Sequence, residues 1–280
     1  MELQHRADVG RRPTVVAAVS PDDGDRLLRT AWQRARALEA DLTICTAIAE
    51  ASAATMIAVE AIADRILSTA PRDVMIRFDV RPGPVSQQIL ACARELDAAQ
   101  IIVGQVPRST PARLAHTGIC TALLHDATCP LLIAGPSRGT RRILVATDLT
   151  DAGAPVLQAA AREARRDDGA VTALHCVPIG ASHDDVRQRL ATRLDEVGLV
   201  AAEPRIANAS VARAILETAT ARDGDLIGMG SHAHSTAERL PVTRHHRAGL
   251  ERVLCGSAAA RVAREAPCSV LLVPVDDPPR

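Results

Sequence analysis

Lysine is absent from this chain of 280 residues, and all 33 positions counted as Lys or Arg are arginine. That excludes a Walker-type phosphate lysine, a Schiff-base amine and a lysine general base. Aromatics are nearly missing, with Trp32, Phe78 and no tyrosine, so the stacking platforms of single-strand nucleic-acid binders cannot be built. An excess of one charge is missing as well, because 33 Asp and Glu balance the arginines. No overall field therefore draws the chain to nucleic acid or to a membrane surface. No apolar run reaches 18 residues and no charged-then-apolar leader is seen, so a soluble, cytoplasmic protein is expected. The seven cysteines are odd in number and lack CxxC spacing, which points to buried thiols in a reducing compartment.

What is present is Ala, Val, Leu and Ile, written out twice. Residues 13–20 (PTVVAAVS) match 141–148 (RRILVATD) at an offset of 128. The run ending at Gly104 matches the one ending at Gly230 at 126, and CPLLIAG matches CSVLLVP at 139. The change of offset places 13 additional residues inside the second copy, between Gly230 and Cys268.

In each copy, short Val/Ile/Leu-rich runs alternate with longer Ala/Leu/Arg stretches of helical period, the signature of βαβ units and a parallel sheet. Strands are predicted at 14–20, 42–48, 73–80, 100–104 and 129–134, and again at 142–148, 170–177, 199–206, 225–230 and 268–275. The fold class is α/β, with two tandem five-stranded parallel-sheet Rossmann-like domains, 1–138 and 139–280, divided at the Gly/Pro/Ser segment 135–141. Such sheets bind ligands beyond the carboxyl ends of the strands, where the strand order reverses. Asp148 ends the first strand of copy two and Gly230 the fourth, so both face one crevice if those strands are neighbours.

After Gly230 the sequence reads GSHA, HSTAERLPVTRHH and then RAGLERVLCGSAAARVAREAPCSVLLVPV. Backbone N–H groups of Gly256, Ser257 and Ala258 at a helix start would accept an anion, with the Ser257 hydroxyl as a further donor. This block resembles a universal stress protein domain, whose ATP-binding members carry G-x2-G-x9-G-S/T before the last helix and strand. The resemblance covers nearly all of each repeat. It implies an adenine-nucleotide site in copy two, with ATP or a related nucleotide as the ligand. Asp148 would contact the nucleotide and the Val177 backbone the adenine. Met229 and Gly230 would precede the phosphate loop, which Gly256 and Ser257 close.

Two departures stand inside the motif: Ala233 occupies the place of the second glycine, and 234–246 is inserted. Alanine adds a methyl group where close phosphate approach or positive φ is wanted. Copy one departs further, with Ser20 for the strand-one aspartate, Pro107 and Thr117 at the second and third glycines, and Gly118 at the serine. Pro107 also removes a backbone donor. Copy one is therefore expected to be structural or regulatory. The resemblance further implies that the halves pair face to face, or that the chain forms a homodimer.

His232, His234, His245 and His246 cluster at the insertion. A solvated loop is the expectation rather than a metal site, since no HExxH pattern occurs. A lid carrying Arg244 or Arg247 to the terminal phosphate is the other reading. No GxSxG elbow supports serine hydrolysis, and His175 reads as a packed histidine. Occupancy of the site would serve as a regulatory signal without catalysis, and any ATP hydrolysis would be slow. The rival is a protein-interaction module with two dead pockets and an unidentified protein partner. A third option is an adenylating enzyme.

Overall fold

Residues 12–20, 25–48, 53–105, 113–136, 140–177, 183–232 and 257–275 are described by a computed structural model. The apolar runs form strands β1 (Thr14–Ala18), β2 (Asp41–Ile48), β3 (Ile76–Pro82), β4 (Ala98–Gly104) and β5 (Leu131–Ala134) in the first half. The second half supplies β6 (Arg142–Ala146), β7 (Ala170–Cys176), β8 (Glu203–Ala207), β9 (Leu226–His232) and β10 (Ser269–Val275). Between them lie helices α1 (Asp25–Ala37), α2 (Ala53–Thr69), α3 (Val85–Glu95), α4 (Arg113–Asp126), α5 (Ala154–Asp167), α6 (His183–Glu196), α7 (Val211–Ala221) and α8 (Ser257–Glu265).

All ten strands belong to one sheet, in the order β3-β2-β1-β4-β5-β10-β9-β6-β7-β8. Neighbours are parallel except at the centre, where β5 and β10 run antiparallel with Leu132 opposite Leu271. The halves thus join edge to edge through their last strands, which corrects the face-to-face expectation. Joining edges in this way covers the open backbone groups of two strands at once. The outer edges, β3 and β8, carry Arg77, Asp79, Arg81, Pro204 and Arg205 instead, residues that discourage further pairing.

One apolar layer packs α1, α2, α5 and α6 on one face of the sheet, and the other packs α3, α4, α7 and α8 on the opposite face. Each layer runs unbroken through both halves. On α1, Leu27, Leu28, Ala31 and Ala35 turn one stripe inward, and on α5 Val156, Leu157, Ala160 and Ala161 do the same. Small alanines let these helices sit close to the sheet, which suits a chain almost without aromatics.

The run 199–206 forms a strand only from Glu203. After α6 the chain closes a helix-ending turn instead: Gly198 takes φ +74, its N–H donates to Asp195 O, and Leu199 N–H donates to Leu194 O. Leu194 and Leu199 are both core residues, so the apolar Leu199 belongs to the cap contact rather than to a strand. Similarly, β6 stops at Ala146, and Thr147 and Asp148 leave the ladder.

Burial raises the thiols of Cys129 to about 11 and of Cys120 and Cys268 to about 12, from an ordinary 9.0. The folded state therefore keeps protons that the unfolded chain releases near pH 9. Stability from this source is fully present below pH 9 and is lost as pH rises toward 11–12. Denaturant midpoints are expected to be flat from pH 7 to 8.5 and to fall above 9, less steeply in Cys268→Ala. A midpoint that rises above pH 9 would contradict this.

Candidate functional site

The chain steps outward from β6 to β7 and β8, then returns past β6 to form β9, so the order reverses between β6 and β9. Their ladder pairs Ile143 with Leu226, Leu144 with Ile227 and Val145 with Gly228, and goes no further. β9 nevertheless stays paired to β10 as far as His232 opposite Val275, and β6 to β7 as far as Ala146 opposite Leu174. The two strands therefore part at their carboxyl ends, and the crevice opens there.

Asp148 stands on the β6 side, exposed and held by a local turn. Its Oδ1 accepts from the Thr150 N–H at 3.0 Å and from the Thr150 hydroxyl at 2.8 Å. Leu149 between them takes φ 62, a left-handed conformation that is strained for a leucine. Two contacts oppose that strain: Leu149 is buried, and its N–H donates to Thr147 Oγ1 at 3.1 Å. Thr150 also caps the turn Asp151–Gly153 that leads into α5. A Cβ at Gly153 would lie 2.6 Å from Asp148 Oδ1, so glycine leaves room for the carboxylate.

Under this turn, His175 Nδ1 lies 2.8 Å from Thr147 O. A carbonyl can only accept, so Nδ1 carries the proton. Val177, buried just after β7, donates its N–H to Ala207 O at 3.0 Å. Met229 is buried in the layer of α7 and α8. A Cβ at Gly230 would meet Val275 Cγ2 at 3.2 Å and Val156 Cγ2 at 3.6 Å, so core packing already asks for a small residue there. Ser257 opens α8 and the half-buried Ala258 follows it, with no acidic residue in the first turn to offset the positive helix end.

Asp148, Val177, Met229, Gly230, Ser257 and Ala258 thus sit at the carboxyl ends of the second half's parallel strands, or at the helix that returns from there. Gly256, Ala233, His234, Arg244, His245, His246, Arg247 and the His232 side chain lie outside the described residues. Among the described residues no group of three His, Cys, Asp or Glu could hold a metal ion, and no helix is long and apolar enough to cross a membrane. Sequence reasoning missed Thr147, Thr150 and Gly153. The Asp-x-Thr turn and the Thr-x-x-Gly cap in TDLTDAG were the signals for them.

A family model described as "Universal stress protein family" matches residues 11–135 and again 139–274. The chain belongs to this family. It is a tandem, two-domain universal stress protein. One solved structure that it resembles is a universal stress protein from Archaeoglobus fulgidus, 14% identical, covering 95% of this chain and 98% of that one with a TM-score of 0.71. Another is a functionally unknown Pseudomonas aeruginosa protein, 18% identical, covering 95% and 94% with a TM-score of 0.68. A shorter universal stress protein, solved in complex with cAMP, is 21% identical and covers 49% of this chain and 99% of that one, with a TM-score of 0.39. Among curated proteins nothing matches.

Within this universal stress protein the two halves differ at the crevice. In the first half the β1·β4 ladder continues to Ala18 opposite Val103, one pair beyond the equivalent of Val145 and Gly228. Ile102 takes the place of Gly228 and is fully buried. Thr117 and Gly118 lie inside α4, which starts at Arg113, so their N–H groups are committed to helix carbonyls. No loop of open donors is left at those positions for an anion.

Proposed function

We propose that the second half binds an adenine nucleotide, ATP or a related one, and that occupancy acts as a regulatory signal rather than as the start of a reaction. The observation that carries this reading is the parting of β6 and β9 beside a carboxylate whose orientation Thr150 fixes. Asp148 would accept from the sugar hydroxyls, and the N-terminus of α8 would face the phosphates. The Val177 N–H is already used, so its carbonyl would meet the adenine amino group. Slow or absent hydrolysis and a cytoplasmic location belong to the same reading.

The interaction-module reading draws on Met229 and Gly230, whose identities core packing explains without any ligand. Calorimetric titration of the full chain with ATP separates the two. Saturable binding is expected, weakened about tenfold in Asp148→Ala, the scale of losing a hydrogen bond to a charged group. If the wild type showed no affinity up to millimolar ATP and carried no nucleotide after purification, the interaction module would be left standing.

A further inference from the structure

We infer that a cavity on the seam between the halves, at the opposite end of the second half's strands from the nucleotide crevice, is a site for a small phosphate-class oxyanion. The cavity has a volume of about 750 Å³ and lies between α1 and α5 over the amino ends of β6, β9 and β10. Five arginines line it, from Arg34 to Arg166, against the two aspartates Asp167 and Asp168. Excess positive charge around a concave space selects an anion.

Two of its polar groups lack partners among the described residues. Arg34, from α1, is 4% exposed. Its Nη1 binds Glu163 Oε2 at 2.5 Å, but its Nη2 is closed off from solvent without a hydrogen-bond partner. The Thr140 hydroxyl, from the other half, is closed off in the same way. A guanidinium cannot shed its charge, and an unmatched buried donor destabilises its surroundings. Both residues belong to the wall of this one cavity.

Arg36 is engaged with Asp73 and Arg166 with Glu163. Arg141 and Arg165, by contrast, take part in no ion pair among the described residues. A tetrahedral oxyanion offers oxygens to a guanidinium edge, a hydroxyl and a second arginine together, a geometry that arginine serves well. Neither orphan atom reaches the cavity surface in this conformation, so binding draws the Thr140 hydroxyl and the Arg34 head toward the ligand. Because Arg34 comes from the first half and Thr140 and Arg141 from the second, the anion would bridge them.

The test uses the full chain, titrated with inorganic phosphate and with glycerol phosphate against sodium chloride of equal ionic strength, read by calorimetry and thermal unfolding. Saturable binding that raises the melting temperature is expected, roughly tenfold weaker in Thr140→Val and about threefold weaker in Arg141→Gln. Both variants should melt like the wild type without phosphate, since neither side chain has an ion-pair or hydrogen-bond partner to lose among the described residues. Tighter binding of glycerol phosphate would assign the site to a phosphate ester, and tighter inorganic phosphate to the free ion. Ser257→Ala, at the helix end assigned to the nucleotide phosphates, should keep the phosphate response in full, which separates this site from the nucleotide crevice. No saturable binding at tens of millimolar phosphate, or equal affinity in Thr140→Val, overturns the inference.

Discussion

Glu163→Ala is expected to destabilise the folded chain by about 3–5 kcal/mol, the usual cost of stranding one partner of a buried ion pair. Arg34 lies on α1 and Glu163 on α5, 129 residues apart, and both are buried where the halves meet. Desolvation lowers the pKa of Arg34, but it cannot bring an arginine to neutrality. Without Glu163 the buried guanidinium loses the partner it meets at 2.5 Å. Arg213→Ala, which breaks the exposed Arg213–Glu217 pair on α7, should leave the denaturation midpoint nearly unchanged, because water screens a pair so exposed. Guanidinium denaturation of both variants checks this, and a loss below about 1 kcal/mol for Glu163→Ala would refute it. Replacing Arg34 and Glu163 together by methionine should recover most of the loss, because no charge is then left buried alone.

Gly135→Ala comes second, with an expected loss of roughly 2–4 kcal/mol from overpacking. A Cβ at Gly135 would lie 2.6 Å from both the carbonyl carbon and the carbonyl oxygen of Cys268, and 2.9 Å from Ser269 N. These are backbone atoms at the start of β10, so no rotamer change relieves the clash, and the seam itself must shift. The Gly135 N–H also donates to Ser269 Oγ at 3.2 Å, a contact that any shift weakens. Gly118→Ala is the control: nothing lies within 4 Å of its Cβ position inside α4, so it should be neutral or stabilising by up to about 1 kcal/mol. Thermal unfolding should separate the two glycines clearly. Equal melting temperatures would show that the seam tolerates the methyl group.

Both effects fall on residues whose roles the sequence hides. Gly135 reads as part of a Gly/Pro/Ser linker, yet it is packed against the other half's last strand. Arg34 and Glu163 read as two more charges on amphipathic helices, where solvation is the default. Nothing in a local pattern marks a charge that will be buried by a segment 129 residues away. The apolar Leu199 misled in the other direction, since its hydrophobicity serves a helix cap.

At the candidate site the legible and the hidden are interleaved. Asp148 and Gly230 could be placed near strand ends because short apolar runs bounded by turn residues mark strands, although β6 stops two residues before Asp148 and β9 runs two residues past Gly230, to His232. That β6 and β9 are neighbours which part after Val145 and Gly228 could not be read, because pairing and its end depend on strands far apart in sequence. The family resemblance also suggested one reason for Gly230, its place just before the phosphate loop. The structure supplies a second, the Val275 and Val156 methyl groups.

By itself, then, the sequence determined the duplication, the α/β alternation, the aromatic-poor core and the contrast between Asp148 and Ser20. All of these are properties of local period and residue identity. Tertiary structure alone decided that the two sheets fuse through antiparallel β5 and β10, that Arg34 and Glu163 are buried together, and that Arg34 and Thr140 border one cavity on the seam. Those outcomes depend on which surfaces remain to be covered once each half has folded, and backbone edges and buried charges find their partners only then.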